Sequence, residues 1–363
     1  MKAIFLLFLL LPVAGQAYAT LRVWQLLAGV PALRMAAVVL MTTAFILTFV
    51  AMSGVIDRWP MWLATAVYET GTSWLIVLLY LVMALGVLDL LRLCHVAGPG
   101  VLRHNAWLAA GIAAGITVLL AYGYWHYNDK QRVPLQLVTH KAIGTPTRIV
   151  LVSDLHLGYH NRRPELHRWL QLLKAEHPAA IVVAGDIIDG SYRPVEAQDM
   201  AQEFRQLGIP VYACLGNHDY YTGIGADLKF CREAGITVLR DDTASLTGIT
   251  LIGRDDRTNP HRKPLARIMQ DIDRSKFLLE IDHQPYHLEE AEQCGVDFEF
   301  AGHTHYGQVW PVNWITRAVF EDAFGPYRRG ATQYYVSSGL GIWGGKFRIG
   351  TRSEYVVLTI NPA

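Results

Sequence analysis

Apolar positions are distributed unevenly along the 363 residues. Up to about residue 128 they fall in four nearly unbroken stretches, 4–24, 35–56, 72–91 and 106–124. Each is about 20 residues, the length a helix needs to cross a hydrocarbon core of roughly 30 Å. Beyond residue 147 the pattern shortens. Strand-like apolar runs occur at 148–152, 180–183, 210–214, 250–253, 276–281, 298–301, 333–337 and 355–360. Helix-like stretches at 164–176, 195–207 and 226–234 lie between several of them. Alternating strands and helices predict an α/β layered domain. The polar stretch 129–147 carries Pro134, Gly144 and Pro146 and reads as a linker. The expected organisation is a four-helix transmembrane region, 1–128, then the linker, then one domain over 148–363.

Charge sharpens the membrane reading. The first 128 residues hold only the bases Lys2, Arg22, Arg34, Arg58, Arg92 and Arg103 and the acids Asp57, Glu69 and Asp89. Trp24, Trp59, Trp62, Trp107, Tyr124, Trp125 and Tyr127 fall near segment ends, as an interfacial belt does. Lys2, an apolar run and Ala17-Tyr18-Ala19 imitate a cleavable leader. The apolar run continues through residues 21–30, which favours a retained helix. A cytoplasmic N-terminus puts Lys2, Arg58, Lys130, Arg132 and Lys141 inside and Arg22, Arg34, Arg92 and Arg103 outside. That small excess predicts an integral multi-pass protein of a bacterial cytoplasmic membrane, its α/β domain facing the cytoplasm. A net charge of +1 gives no support to a nucleic-acid partner. Four cysteines without a CxxC pair read as reduced thiols.

Candidate chemistry gathers at strand ends. IVLVSDLHLG ends in Asp154 and His156, IVVAGDIIDG in Asp186, and VYACLGNHDYY in Asn217, His218 and Asp219. FLLEIDHQP supplies His283, and FEFAGHTHYG supplies His303 and His305. Residues i and i+2 of an extended segment share a side, so Asp154 and His156 are placed to share a metal. Gly185, Gly216 and Gly302 permit sharp turns there. In open α/β sheets, ligands collect at the carboxyl ends of strands. One Asp-x-His pair is usually just a polar loop mouth. Five such strand ends in order are a two-metal constellation of N and O donors, suited to Mn, Fe or Zn. Arg254, Asp255, Asp256 and Arg257 read as a solvated charge run, with phosphate binding by Arg254 as the alternative, and His160, His167, His177, His261 and His287 as surface or loop histidines.

The order D-x-H, G-D, G-N-H-D, H, G-H-x-H resembles the calcineurin-like metallophosphoesterase superfamily over residues 148–360, and within it bacterial membrane-associated phosphoesterases of the YkuE/YaeI type. The resemblance implies two packed β-sheets flanked by helices. It implies two divalent ions, manganese first, with iron or zinc as alternatives. Asp154, His156 and His305 would hold one ion and Asn217, His283 and His303 the other, with Asp186 bridging. A metal-bridged hydroxide would attack phosphorus. His218 would stabilise the phosphate or protonate the leaving group, and Asp219 would either orient it or hold a structural turn, the two roles being equally open. Tyr306 departs from the Gly expected there. The implied activity is hydrolysis of a phosphodiester, phosphomonoester or pyrophosphate bond. The alternative is a non-catalytic membrane receptor or scaffold on the same fold, which should lose ligands that this chain keeps. The aromatic segment 308–327 and the apolar spans point to membrane lipids as partners and to an amphiphilic or small phosphoester as substrate.

Overall fold

A computed structural model describes residues 2–98 and 100–363, with side chains from residue 10 except Pro99. The chain divides into two compact units, Met1–Trp125 with Gly344–Lys346, and His126–Trp343 with Phe347–Ala363.

The N-terminal region is helical: α1 Lys2–Leu26, α2 Pro31–Met52, α3 Met61–Leu93 and α4 Ala106–Asn128. Among the described residues, α2, α3 and α4 are long and apolar enough to cross a membrane. The first of the four predicted spans falls in α1, where the side chains of residues 1–9 lie outside those described. Helix α3 begins eleven residues before the predicted run because Pro60 precedes its first turn and Glu69 alone interrupts it. Asp89 on α3 is tied to Arg22 at 2.8 Å, to Arg92 at 3.1 Å and to the Tyr18 hydroxyl at 2.6 Å. A carboxylate so partnered is tolerable near a hydrocarbon layer.

The second unit is built on two six-stranded sheets. Its strands are β1 Lys130–Thr139, β2 Thr147–Val152, β3 Ala180–Ala184, β4 Val211–Cys214, β5 Ile236–Val238 and β6 Asp242–Leu246. They continue with β7 Ile249–Gly253, β8 Phe277–Ile281, β9 Phe298–Ala301, β10 Gly325–Arg329, β11 Thr332–Val336 and β12 Ser353–Pro362. One sheet runs β1-β12-β2-β3-β4-β5 and the other β10-β11-β9-β8-β7-β6. Alternation sorts the side chains. Ile149 and Leu151 of β2 meet Leu279, Ile281, Phe298 and Phe300 of β8 and β9 in the core between the sheets. Val150 and Val152 point the other way, toward Leu166, Trp169 and Leu170 of helix α5, Arg163–Ala175. Both faces of these strands are buried, so they read as nearly unbroken apolar runs.

Two predicted features change. The 129–147 linker contains β1, whose Val133, Leu135 and Leu137 pack on the inter-sheet core. It lies at the edge of its sheet, where Pro134 faces outward without cost to the ladder. The predicted 195–207 helix is two short helices, Arg193–Ala197 and Ala201–Arg205, split at Asp199 with its φ of 46°. All four cysteines are free thiols.

Candidate metal centre

The carboxyl ends of β2, β3, β4, β8 and β9 meet at one place, and their loops are stitched by backbone hydrogen bonds. Asp154 N–H donates to Gly185 O at 3.1 Å, His156 N–H to Asp186 O at 2.9 Å, and Gly302 N–H to His283 O at 3.0 Å. Asp154, His156, Asp186, His303 and His305 all have positive φ, from 45° to 70°. Left-handed backbone costs an L-residue roughly 1–2 kcal/mol. Five such residues at one site are strain held in place by that stitching. The side chains of Asp154 and His156 therefore converge through left-handed turns rather than through extended alternation.

Two glycines are there for space. Gly185 has φ of 73°, and a Cβ on it would stand 2.7 Å from both Gly216 N and His283 Nδ1. A Cβ on Gly302 would overlap Ser153 and the Asp154 carboxylate.

Three donor groups lie close together. Asp154, His156 and His305 form one cluster, and Asp186, His283 and His303 another. His156 Nε2 is 3.1 Å from His305 Nε2, and His305 Nε2 is 3.4 Å from Asp154 Oδ1. In the second cluster His283 Nε2 is 3.1 Å from Asp186 Oδ2, and His303 Nδ1 is 2.9 Å from Asn217 Oδ1. Donors bound to one ion at about 2.1 Å stand about 3.0–3.4 Å apart, so the spacings fit cations. The tautomers fit as well. His283 Nδ1 lies 2.8 Å from Ala184 O, to which it donates, and its buried Nε2 has no hydrogen-bond partner. Nε2 is therefore the nitrogen turned to Asp186; burial opposes a charge there, but the Asp186 carboxylate outweighs it and holds the ring well above the ordinary histidine range, and a cation would take the place of that proton. Burial, then the charge of His156, holds His305 well below the ordinary histidine range. Burial, then His283, lowers His303 to about 4. Both rings are neutral at physiological pH, the form in which an imidazole can ligate a cation.

The third group is His156, Asp189 and His218. His218 Nδ1 stands 2.8 Å from Asp189 Oδ1, and His156 Nδ1 stands 3.7 Å from the same oxygen. Burial opposes the charged form of His218, but the Asp189 hydrogen bond and the Asp186 charge outweigh it and raise its pKa to about 9. Of the two roles open for Asp219, the orienting one falls to Asp189 and the structural one stays with Asp219. The fully buried Asp219 carboxylate accepts from the backbone N–H groups of Gly216 at 2.7 Å, Ile187 at 2.8 Å, Asp186 at 3.0 Å and Ile188 at 3.1 Å. It ties the β3 and β4 loops together. Asp189 lies in the IVVAGDIIDG run, three residues past Asp186 and just before Gly190 with φ of 66°. That spacing was its only sequence signal.

Other readings move inward. Arg254, Asp255 and Asp256 are buried, and Arg254 is paired with Glu280 at 3.1 Å, so they are not a solvated run. His160 is buried, its Nε2 2.6 Å from Ile342 O, whereas His167, His177, His261 and His287 are exposed. Tyr127, expected at a membrane interface, is buried, and its hydroxyl donates to Asn161 at 2.6 Å. Asn161 in turn donates to Leu155 O and His156 O and so supports the first loop. Tyr306 is buried and stacked on Phe324 at 4.6 Å. Arg348, fully buried, donates to His305 O at 2.7 Å and to the carbonyls of Ser338 and Gly341.

Two packed sheets with a histidine–carboxylate centre across their strand ends define an α/β metalloprotein domain. Residues 147–307 match the family model of the calcineurin-like phosphoesterases. The chain is 30% identical to an uncharacterized metallophosphoesterase of Aquifex aeolicus over 60% of its own length and 86% of that protein. It is also 30% identical to one from Campylobacter jejuni, over 59% of each chain. A Danio rerio transmembrane protein with metallophosphoesterase domain is 26% identical over 87% of this chain and 78% of its own. The chain belongs to the calcineurin-like phosphoesterase family. With its apolar helices, it is a membrane protein carrying a phosphoesterase-type domain.

Proposed function

We propose that this domain hydrolyses a phosphoester bond at a binuclear metal centre, in a substrate with an apolar part. The observation that carries the reading is the place of Asp186. Its Oδ2 is 3.1 Å from His283 Nε2 in one cluster and 3.6 Å from His156 Nε2 in the other. One carboxylate is thus set to serve two ions. Asp154, His156 and His305 would hold the first, Asn217, His283 and His303 the second. Divalent ions, with manganese the first expectation and iron or zinc the alternatives, would supply a nucleophile from water near neutral pH and offset charge on the phosphate.

The chain's own residues do the rest. The His218 N–H holds Asp186 Oδ1 at 2.9 Å, which fixes the shared carboxylate. Asp189 holds His218 Nδ1, which leaves Nε2 to donate to a phosphate oxygen or the leaving oxygen. A pKa near 9 keeps that proton on the ring at neutral pH. Tyr221 and Trp343, with rings 5.5 and 6.3 Å from His218, stand beside it.

The apolar part of the substrate is argued from the helix Val312–Val319 and its flanks. Trp310, Trp314, Ile315 and Val319 are exposed there, while Phe320 packs 5.9 Å from His303. One short segment therefore touches the centre and shows an apolar face outward. That favours membrane lipids as partners and an amphiphilic phosphoester as substrate. The small excess of inner-side bases favours a cytoplasmic domain in a bacterial membrane. A reporter fused after Ala363 that is active only outside the cytoplasm would reverse this facing.

The reading is tested by hydrolysis of a chromogenic phosphodiester with added Mn²⁺, comparing wild type with Asp186→Asn and His218→Ala. Loss in both variants is expected. Equal rates in all three would turn the reading toward a receptor or scaffold.

A further inference from the structure

We propose that a cationic cavity beside the centre is a subsite for a second phosphate of the substrate, separated from the scissile ester by a sugar-sized spacer. This deepens the phosphoesterase reading and rests on it.

The cavity has a volume of about 400 Å³, within the range of small-ligand sites. Arg254, Arg257, Arg262 and Lys263 line it against one carboxylate, Glu290. Two of the four are anchored. Arg254 is held by Glu280 at 3.1 Å and Glu290 at 3.3 Å, and Arg262 is paired with Asp282. Arg254 commits both terminal nitrogens to Glu280, Glu290 and the Lys263 carbonyl and contributes charge alone, whereas Arg262 gives Asp282 one N–H from each terminal nitrogen and keeps donors over. The other two form no side-chain ion pair among the described residues, although the Lys263 backbone N–H donates to the Asp241 carboxylate at 2.7 Å. Arg257 lies over the Tyr286 ring at 4.5 Å and beside His287 Nε2 at 3.4 Å, while Lys263 Nζ donates to the backbone oxygen of Asp241 at 3.3 Å. Neither has a carboxylate within ion-pair distance among the described residues. Fixed guanidiniums beside unneutralised cations form a site for a phosphate-type anion.

The cavity is joined to the centre through a shared wall. Tyr286 lines it and packs on Phe320 at 4.8 Å, and Phe320 packs on His303 at 5.9 Å. Gln284, next to His283, donates to Asp256 at 2.9 Å and so ties the His283 loop to the loop that carries Arg254 and Arg257. One intervening ring, Phe320, between Tyr286 and His303 leaves room for a spacer the size of a sugar between two phosphates.

The test uses the full-length protein in detergent and two readouts. In metal-stripped protein, inorganic pyrophosphate binding by calorimetry reports the cavity without hydrolysis. Saturable binding is expected, weakened at least tenfold in the Arg257→Gln/Lys263→Gln double variant and within twofold of wild type in His218→Ala. Both cations are exposed, so the melting temperature of the double variant should match wild type and a folding defect is separable. Absent binding, equal binding in the double variant, or binding lost in His218→Ala overturns the subsite. With metal restored, the ratio of kcat/KM for glucose 1,6-bisphosphate over glucose 1-phosphate should fall at least tenfold in the double variant. Cavity binding with an unchanged ratio would assign it to free or lipid-borne phosphate and overturn the substrate role. Because the first readout needs no turnover, failure of the subsite and failure of the hydrolase reading are distinguishable.

Discussion

His218 Nδ1 lies 2.8 Å from Asp189 Oδ1, and this pair sits just outside the two donor clusters rather than in either. Burial alone would lower the histidine; Asp189, together with Asp186, lifts it to about 9. Activity that needs protonated His218 should hold to about pH 9 and fall above it. In Asp189→Asn that alkaline limb should move down toward 6.5, and kcat at pH 8 should fall about 10–100-fold. A pH–rate profile checks both. A lower rate with the limb unmoved would mean that Asp189 only supports the loop.

Asp219 should behave differently. Its carboxylate accepts four buried backbone N–H groups, and Asp219→Ala strands them. The expected loss is about 3 kcal/mol or more of folding stability. Denaturant titration of the full-length protein reads this, and whatever activity remains should keep the wild-type alkaline limb.

Asp227 faces Asp219 and is buried; burial first, then the Asp219 charge, raises its pKa to about 11. The folded-state value lies far above the ordinary 3.8, so the unfolded chain gives up its proton first as pH rises. Stability is therefore undiminished below about pH 4 and drains away toward pH 11. Asp227→Asn should remove that slope and stabilise the protein by on the order of 1–2 kcal/mol at pH 8. Melting curves at pH 5 and pH 8 would show a gain that grows with pH; a gain equal at both values would contradict the assignment.

Chelation should loosen the domain as well as silence it. His156 and His305 oppose two ring nitrogens at 3.1 Å beside Asp154, an arrangement that a cation relieves. A saturating ion at about 100 times its Kd contributes about 2.7 kcal/mol. A chelator should lower the melting temperature of wild type, Mn²⁺ should restore it, and Asp186→Asn should respond weakly to both.

Replacing Trp310 and Trp314 together by Ser should spare hydrolysis of a small chromogenic ester. It should reduce, by tenfold or more, turnover of a phosphoester presented in lipid vesicles, because these exposed rings have an interface to enter. Equal turnover of both substrates would remove the apolar segment from the substrate argument.

Much of this architecture could be read from the order of residues, for a physical reason. Strands β2, β3, β8 and β9 are buried on both faces; β3 and residues 149–152 of β2 are unbroken apolar runs, while Glu280 in β8 and Glu299 in β9 are single buried acids within otherwise apolar strands. Strand β1 escaped because it is half-exposed and contains Pro134, which elsewhere marks a loop. Strand β5 is three residues long, too short for a period to register. Within the site, histidine and carboxylate spacing was visible, but the geometry that joins the residues was not. Asp189 and Asp219 are both acids near a Gly, and only the tertiary path decides which one meets His218. The buried state of Arg254 depends on Glu280, which lies on a different strand, β8.

The left-handed turns that aim Asp154, His156, Asp186, His303 and His305 carry a practical consequence for making an inert form of the protein. Each of these positions answers to two demands at once, one from its side-chain donor and one from its backbone angle. Asparagine meets the second while weakening the first, because it tolerates this region better than most residues. Valine or isoleucine would fail both. Asparagine replacements are thus the route to a silenced protein that keeps its shape, suitable for capturing an intact substrate from a membrane extract.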